Sequence, residues 1–374
     1  MRFEFATATR IIFGPGTVRE LPAIARGFGT RAMVVTGKYK LRHAGVIASL
    51  EESGCHCTLF GVPGEPTVAL VQDGAAALRN AGSQFVIGIG GGSVIDAGKA
   101  IAALGANPAG VLEYIEVIGK GKALERPPFP FIAIPTTAGT GSEVTRNAVL
   151  SSPEHGVKAS LRSPMMLPMV ALVDPDLTLG LPRDITAATG LDAATQLIEA
   201  FVSNRANPLT DALCRDGLRS VSRNLVRAYT NGSDAEARSG MAYASLLGGL
   251  ALANSGLGVV HGFAAPIGGQ FDAPHGAVCA ALLPHAIRIN THALRTRAPE
   301  SGALTRYAEV DGILGADWAD AVVRDLNIPL LRRYGVATRH TGGLVDQAER
   351  ASSMKANPIV LKTEELNAIL TAAL

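Results

Sequence analysis

No run of like charges occurs in the chain, whose 34 basic and 32 acidic residues leave a net charge of +2. A phosphate backbone is met by a field of one sign, so nucleic-acid binding is not expected. Charge is missing altogether from Ser239 to Phe271, yet the apolar part of that stretch, MAYASLLGGLALAN, is only fourteen residues long. About 20 are needed to cross a bilayer as a helix. A buried central helix is expected there and no membrane partner. The opening MRFEFATATRIIFGPG is interrupted by Arg2, Glu4 and Arg10 and lacks the apolar segment of a secretory signal. Cysteine is scarce. Cys55 and Cys57 flank His56 in GCHCTLF, a metal pair by composition but more simply two same-face positions of a strand. With Cys214 and Cys279 they are expected as reduced structural thiols of a cytoplasmic protein.

What the chain does contain is enough apolar material for two domains: 374 residues, 47% of them hydrophobic. In the first half, short apolar runs alternate with helical patterns. RAMVVT from Arg31, FVIGIG at Phe85 to Gly90, FPFIAI at Phe129 to Ile134 and MVALVD at Met169 to Asp174 have the length of strands buried on both faces. Thr67 to Gly82 and the segment from Val94 read as helices between them. Such alternation implies an α/β domain with a parallel sheet. After Leu181 no strand pattern remains, and the second half reads as all-helical. The breakers Pro175, Gly180 and Pro182 place the boundary, giving domains 1–180 and 181–374.

A buried strand runs into Gly90, Gly91, Gly92 and Ser93, and a helix follows at once. Glycine lets backbone N–H groups turn to an anion without Cβ interference, and the helix start brings partial positive charge to the same place. A pyrophosphate fits this arrangement; so does a tight turn without ligand. The usual dinucleotide fingerprint is incomplete, because position 93 is Ser rather than Gly. A second loop, PTTAGTGSEVTRNAV, follows the next strand, and two such loops favour a nucleotide cleft.

In LDAATQLIEAF, Asp192, Gln196 and Glu199 are spaced to share one helix face. Further on, His261 and His275 stand fourteen residues apart in HGFAAPIGGQFDAPHG. Asp192 with these two imidazoles makes a ligand set suited to catalytic zinc or non-haem iron. Three satisfied core polar groups would read the same way.

GGGSVIDAGKA, IPTTAGTGSEVT, GLDAATQLIEAFVS and HGFAAPIGGQFDAPHG, in this order and spacing, resemble the iron-containing (group III) alcohol dehydrogenase family. The resemblance extends from FGPGT at Phe13 to about His285. It implies the fold shared with dehydroquinate synthases and glycerol dehydrogenases: an α/β dinucleotide-binding domain, a helical domain, and a divalent metal in the cleft between. It also implies reversible hydride transfer between an alcohol and its aldehyde or ketone with NAD(P)(H). The cofactor residues implied are Gly91, Gly92, Ser93, Asp96, Thr136, Thr137, Thr140 and Asn147, with Lys158 a weaker candidate. The metal ligands implied are Asp192, His261 and His275. His285 is a candidate for lining the substrate pocket or for a structural role; His43, His56, His155, His292 and His340 are expected on the surface or in packing.

Three positions depart from the family pattern. Gln196 stands where a fourth ligand, a histidine, is usual; its neutral carbonyl is a weaker donor. Zinc is therefore expected ahead of iron, the alternative being a site in which Gln196 and the histidines bind the carbonyl without metal. Ala265 stands where a relay histidine is common. Gly37 occupies the position at which NAD-preferring relatives carry Asp, and Lys38, Lys40 and Arg42 follow, either facing a 2′-phosphate or solvated. NADP(H) is expected ahead of NAD(H). The expected partners are a small alcohol or carbonyl substrate and a second copy of the chain. A maleylacetate reductase-like enzyme, a dehydroquinate synthase-like lyase and a non-catalytic nucleotide-binding protein are the alternatives.

Overall fold

The structure is a computed structural model describing residues 2–374, without the side chains of residues 40 and 41. Lys40, one of the three cations after Gly37, thus has its side chain outside the described residues. Contacts divide the chain into two compact units. One comprises Thr7–Thr137 and Ser142–Thr178; the other comprises Leu179–Leu374, Ala138–Gly141 and the residues up to Ala6.

The first unit holds strands β1 (Arg10–Phe13), β2 (Arg31–Gly37), β3 (His56–Val62), β4 (Phe85–Gly90), β5 (Phe131–Pro135), β6 (Asn147–Ser152), β7 (Val157–Arg162) and β8 (Val170–Val173). Its helices are α1 (Leu21–Ala25), α2 (Ala44–Glu52), α3 (Val68–Asn80), α4 (Gly92–Ala106) and α5 (Val111–Tyr114). Six strands form a parallel sheet in the order β1-β8-β5-β4-β2-β3. Alternate residues feed two cores. Met33, Val35, Val86 and Ala133 pack with residues of α3 and α4, whereas Val34, Ile87, Ile89 and Ile134 pack with Leu21, Ile47 and Leu50. That is the two-sided burial the apolar runs predict. Cys55 is buried just before β3 rather than within it, and Cys57 lies in the strand. The antiparallel pair β6–β7 is an element the sequence reading does not include. Its connection passes through Gly156 at φ 61°, a conformation that favours glycine.

After β3 the chain crosses to the other side of β2 to make β4, so the strand order reverses between β2 and β4. Open parallel sheets bind ligands at the carboxyl ends of the strands flanking such a reversal. Thr36 pairs with Ile89, which sets Gly37 beside Gly90 at those ends.

The second unit contains α6 (Arg183–Val202), α7 (Pro208–Thr230), α8 (Ala235–Ser255), α9 (Val259–Gln270), α10 (His275–Arg297), α11 (Gly302–Leu314), α12 (Trp318–Asp325), α13 (Thr341–Arg350) and α14 (Thr363–Ala372). It has no strand among the described residues. The central helix α6 packs against α7, α8 and α10 and is buried without interruption from Gly190 to Val202. The uncharged stretch from Ser239 is two helices rather than one. α8 stops at Ser255, Gly256 takes φ 76°, and α9 leaves at 100° to α8. No single helix among the described residues is long and apolar enough to cross a membrane, although this bent pair passes the same test of length and composition.

Candidate functional site

The buried polar face of α6 meets the first turns of α9 and α10 in the helical unit. Asp192 and His261 are 1% and 7% exposed, and His275 opens α10 with its side chain 34% exposed. Asp192 Oδ1 lies 3.3 Å from His261 Nε2 and 3.8 Å from His275 Nε2. The Gly- and Pro-rich stretch between the two histidines is largely helix, so each imidazole sits near the start of its own helix. Gly276 permits the approach: a Cβ there would stand 2.2 Å from the Ala188 carbonyl oxygen of α6.

Glu199, one helical turn beyond Gln196, fixes the orientation of His261. Its Oε1 accepts from the Val260 N–H at 2.7 Å, and its Oε2 lies 2.6 Å from His261 Nδ1. A carboxylate accepts, so Nδ1 carries the proton and Nε2 is turned toward Asp192. A carboxylate behind an imidazole in this way is the usual support of a metal-ligating histidine. Asn357 of the tail adds a second cap, accepting from the Val259 N–H at 3.1 Å. Sequence reasoning placed Glu199 on the right face but gave it no role; its signal was the seven-residue spacing from Asp192. Asn357 gave no signal.

Charge in the cluster is held against the cost of burial. Burial opposes ionisation of Asp192, but the imidazoles of His275 and His261 outweigh it and hold the carboxyl below its ordinary range. Burial likewise opposes protonation of His261, which Cys279, Asp192 and Glu199 nonetheless raise well above its usual value. Such a donor set holds positive charge at its centre, which is what a divalent cation supplies. Gln196 Oε1 is buried and has no hydrogen-bond partner, a free carbonyl oxygen on the same helix face as Asp192. On both counts the residues fit a metal ion.

Residues 8–175 match the family described as iron-containing alcohol dehydrogenase, and residues 186–374 match the C-terminal part of the Fe-containing alcohol dehydrogenase family. The chain belongs to the iron-containing alcohol dehydrogenases. It is 35% identical to the 1,3-propanediol dehydrogenase of Klebsiella pneumoniae over 99% of this chain and 98% of that one. The solved alcohol dehydrogenase of Oenococcus oeni superposes with a TM-score of 0.90 at 30% identity, covering all of both chains. The sulfoacetaldehyde reductase of Bifidobacterium kashiwanohense, solved in complex with NAD+, has a TM-score of 0.86 at 30% identity and covers 99% of this chain and 98% of that one. Membership makes this chain an alcohol oxidoreductase with the two-part fold the motifs implied.

In this dehydrogenase the glycine loop lies in the first unit. β4 ends at Gly90, Gly91 caps α4 with φ −73°, and the first-turn N–H groups of Gly92 and Ser93 have no acceptor within the helix. Thr136 donates its N–H to the Gly90 carbonyl at 2.9 Å, joining the second loop to the first, and Thr137 lies against Gly91. Asp96 and the backbone of Asn147 are engaged within the unit. Asp96 accepts from the Ser142 hydroxyl and, at 2.9 Å, from the Val149 N–H. Lys99, fully buried, stands 3.1 Å from Asp96, donates to Ser142 O and Thr145 Oγ1 at 2.9 Å each, and donates also to Asn147 O. Lys99 therefore holds the second loop in shape, a role that its place in GGGSVIDAGKA does not reveal. Lys158 is occupied by Glu65 at 3.3 Å. Thr140 belongs to Ala138–Gly141, the piece that groups with the helical unit. His285 lies 2.8 Å from Arg288, and His155 and His340 make local hydrogen bonds.

Gly91 allows a clean test. An added Cβ would meet only Thr137, at 3.4 Å, and φ is negative, so Gly91→Ala costs the fold little. If the loop holds a pyrophosphate, the methyl group pushes it off the N–H groups. The dinucleotide Kd is expected to rise about tenfold or more, the size of one lost charge-assisted hydrogen bond. Fluorescence titration with the reduced cofactor measures it; an unchanged Kd would make the loop only a turn.

Proposed function

We propose that this enzyme interconverts a small alcohol and its carbonyl compound using a nicotinamide dinucleotide, NADP(H) ahead of NAD(H), and a divalent cation, zinc ahead of iron. On this reading residues 1–180 hold the dinucleotide and residues 181–374 the cation and substrate. The observation that carries it is the convergence of Asp192, His261 and His275 with Glu199 behind His261. When bound, the nicotinamide exchanges the hydride and the cation polarises the substrate oxygen. Asp192, His261 and His275 would hold the cation, and Gln196 Oε1 offers a further neutral oxygen. The greater exposure of His275 among the three supports entry of substrate from its side. Gly91, Gly92 and Ser93 would receive the pyrophosphate, with Thr136 and Thr137 beside them and Asp96 and Asn147 positioning the second loop. Ala265 carries no titratable group, so the substrate proton leaves through water or a ribose hydroxyl.

Gly37 supports the choice of dinucleotide. It ends β2 beside Gly90, and a Cβ there has nothing within 4 Å, so an acidic side chain fits. Lys38 and Arg42 nearby are exposed cations. An Asp at this position would accept from a ribose 2′-OH and repel a 2′-phosphate. A hydrogen bond to a charged group contributes about 1.5–3 kcal/mol, so Gly37→Asp is expected to shift the ratio of kcat/KM toward NAD(H) by about 10- to 100-fold. Alcohol oxidation assayed with both cofactors, in wild type and variant, decides it. A wild type that excludes NADP(H) would refute the cofactor assignment, and absence of turnover with either cofactor in metal-replete protein would refute the reading as a whole.

A further inference from the structure

Cys279 lies one turn after His275 on α10 and is fully buried. Its Sγ is 3.7 Å from His275 Nε2, and one donor atom each from Asp192, His261, His275 and Cys279 lie within 4.8 Å of one another. Those distances carry geometry. In a tetrahedral zinc site with bonds of about 2.0–2.1 Å to nitrogen or oxygen and about 2.3 Å to sulfur, neighbouring donors are roughly 3.3–3.6 Å apart. The separations here are 3.3 Å for Asp192–His261, 3.8 Å for Asp192–His275 and 3.7 Å for His275–Cys279, within a few tenths of an ångström of those edges. On the same face of α6 as Asp192, the buried Gln196 Oε1 has no hydrogen-bond partner; it lies against Gly248 of α8, so the fourth donor beside the two imidazoles is the sulfur of Cys279.

We propose that Cys279 is itself a ligand of the divalent cation, completing an Asp192–His261–His275–Cys279 set in which a thiolate on α10 takes the place of the missing fourth imidazole on α6. The inference rests on the reading that Asp192, His261 and His275 hold a cation. Binding forms the metal–sulfur bond and breaks S–H, and the proton passes to solvent. With four protein donors, substrate binding would require the cation to accept a fifth ligand, an expansion that catalytic zinc sites sometimes show. A thiolate is soft, so the set favours zinc over iron more strongly than a carboxylate and three imidazoles would.

The test uses the full chain expressed in cobalt-supplemented medium. A thiolate on cobalt gives an intense sulfur-to-metal charge-transfer absorption in the near ultraviolet, which carboxylate and imidazole do not. Wild type is expected to carry one cobalt per chain and to show the band. Cys279→Ser is expected to lose the band and to bind zinc more weakly by about 100-fold, the upper end of what supporting residues cost. Cys214→Ser, which removes a buried thiol outside the donor set, is expected to keep the band. The wild-type spectrum decides the matter even where Cys279→Ser fails to fold. One bound cobalt without the band would overturn the thiolate ligand and leave the cation site standing. Failure of wild type to retain cobalt or zinc at all would overturn the cation reading, and the inference with it.

Discussion

His261→Ala is expected to purify with less than about a tenth of the wild-type metal, and to lose about 10³-fold or more of kcat/KM for the alcohol. The magnitude follows from position. His261 Nε2 is 3.3 Å from Asp192 Oδ1, and its other nitrogen is held by Glu199, so truncation removes a donor that is already oriented. Loss of the imidazole also leaves Asp192 and Glu199, both buried, without the ring that each of them contacts. A Lewis acid contributes several kcal/mol to transition-state stabilisation, and each 1.36 kcal/mol is about tenfold in rate. Elemental analysis and steady-state kinetics on the same preparation measure both effects, with thermal unfolding as the check on the fold. The companion change Gln196→His is expected to tighten metal binding, because an imidazole is a stronger donor than an amide carbonyl. Full activity of His261→Ala after exhaustive chelation would remove the metal from the mechanism.

Glu199→Gln is the second large effect, and it touches neither cation nor substrate. The carboxylate uses both oxygens as acceptors, Oε1 from Val260 N–H and Oε2 from His261 Nδ1. An amide of the same shape has one acceptor and one donor. If its oxygen faces Val260, its NH₂ faces His261 Nδ1, which must then accept; the ring proton stays on Nε2, the nitrogen that would otherwise offer its lone pair to the cation. If it flips, the NH₂ opposes the Val260 N–H at the start of α9. Metal affinity is expected to fall about 10- to 100-fold, as for other supporting residues of metal sites. Folding stability should fall by about 1–3 kcal/mol from the unsatisfied buried group. The readouts that separate positioning from mere stability are the zinc Kd and the ¹⁵N shifts of the His261 ring, which report its tautomer. Unchanged shifts with only a lowered Tm would assign Glu199 a structural role.

The two periodicities of side-chain direction explain how much of this was legible. A strand buried on both faces reads as a continuous apolar run, and FVIGIG became β4 from Phe85 to Gly90 as expected. The β6–β7 hairpin was not seen, because its residues alternate between partly and fully buried within a polar, hydroxyl-rich stretch. On α6, the i, i+4, i+7 spacing put Asp192, Gln196 and Glu199 on one face without any structure. The same spacing placed Cys279 one turn from His275, but four cysteines scattered through a chain read as buried thiols, and nothing local distinguishes a thiol facing a carboxylate from one facing leucine. Lys99 was passed over because its partners, Ser142, Thr145 and Asn147, lie on the following strand and loop.

The sequence by itself therefore determined the alternating α/β half, the helical half, the glycine loop between β4 and α4, and which polar residues share a helix face, since all of these depend on neighbours a few positions apart. The tertiary structure decided which faces meet. Asp192 and His261 are 69 residues apart, and their encounter depends on how closely α9 starts against α6, where a Cβ on Gly258 would stand 2.8 Å from Glu199 Oε1; Gly276 does the same for α10 and His275 by admitting the Ala188 carbonyl. It likewise decided that Glu199 stands behind His261 and that Cys279 joins the donors. Directional polar chemistry over 3–4 Å is fixed by backbone placement, and that placement comes from apolar packing spread along the whole chain rather than from the residues that perform the chemistry.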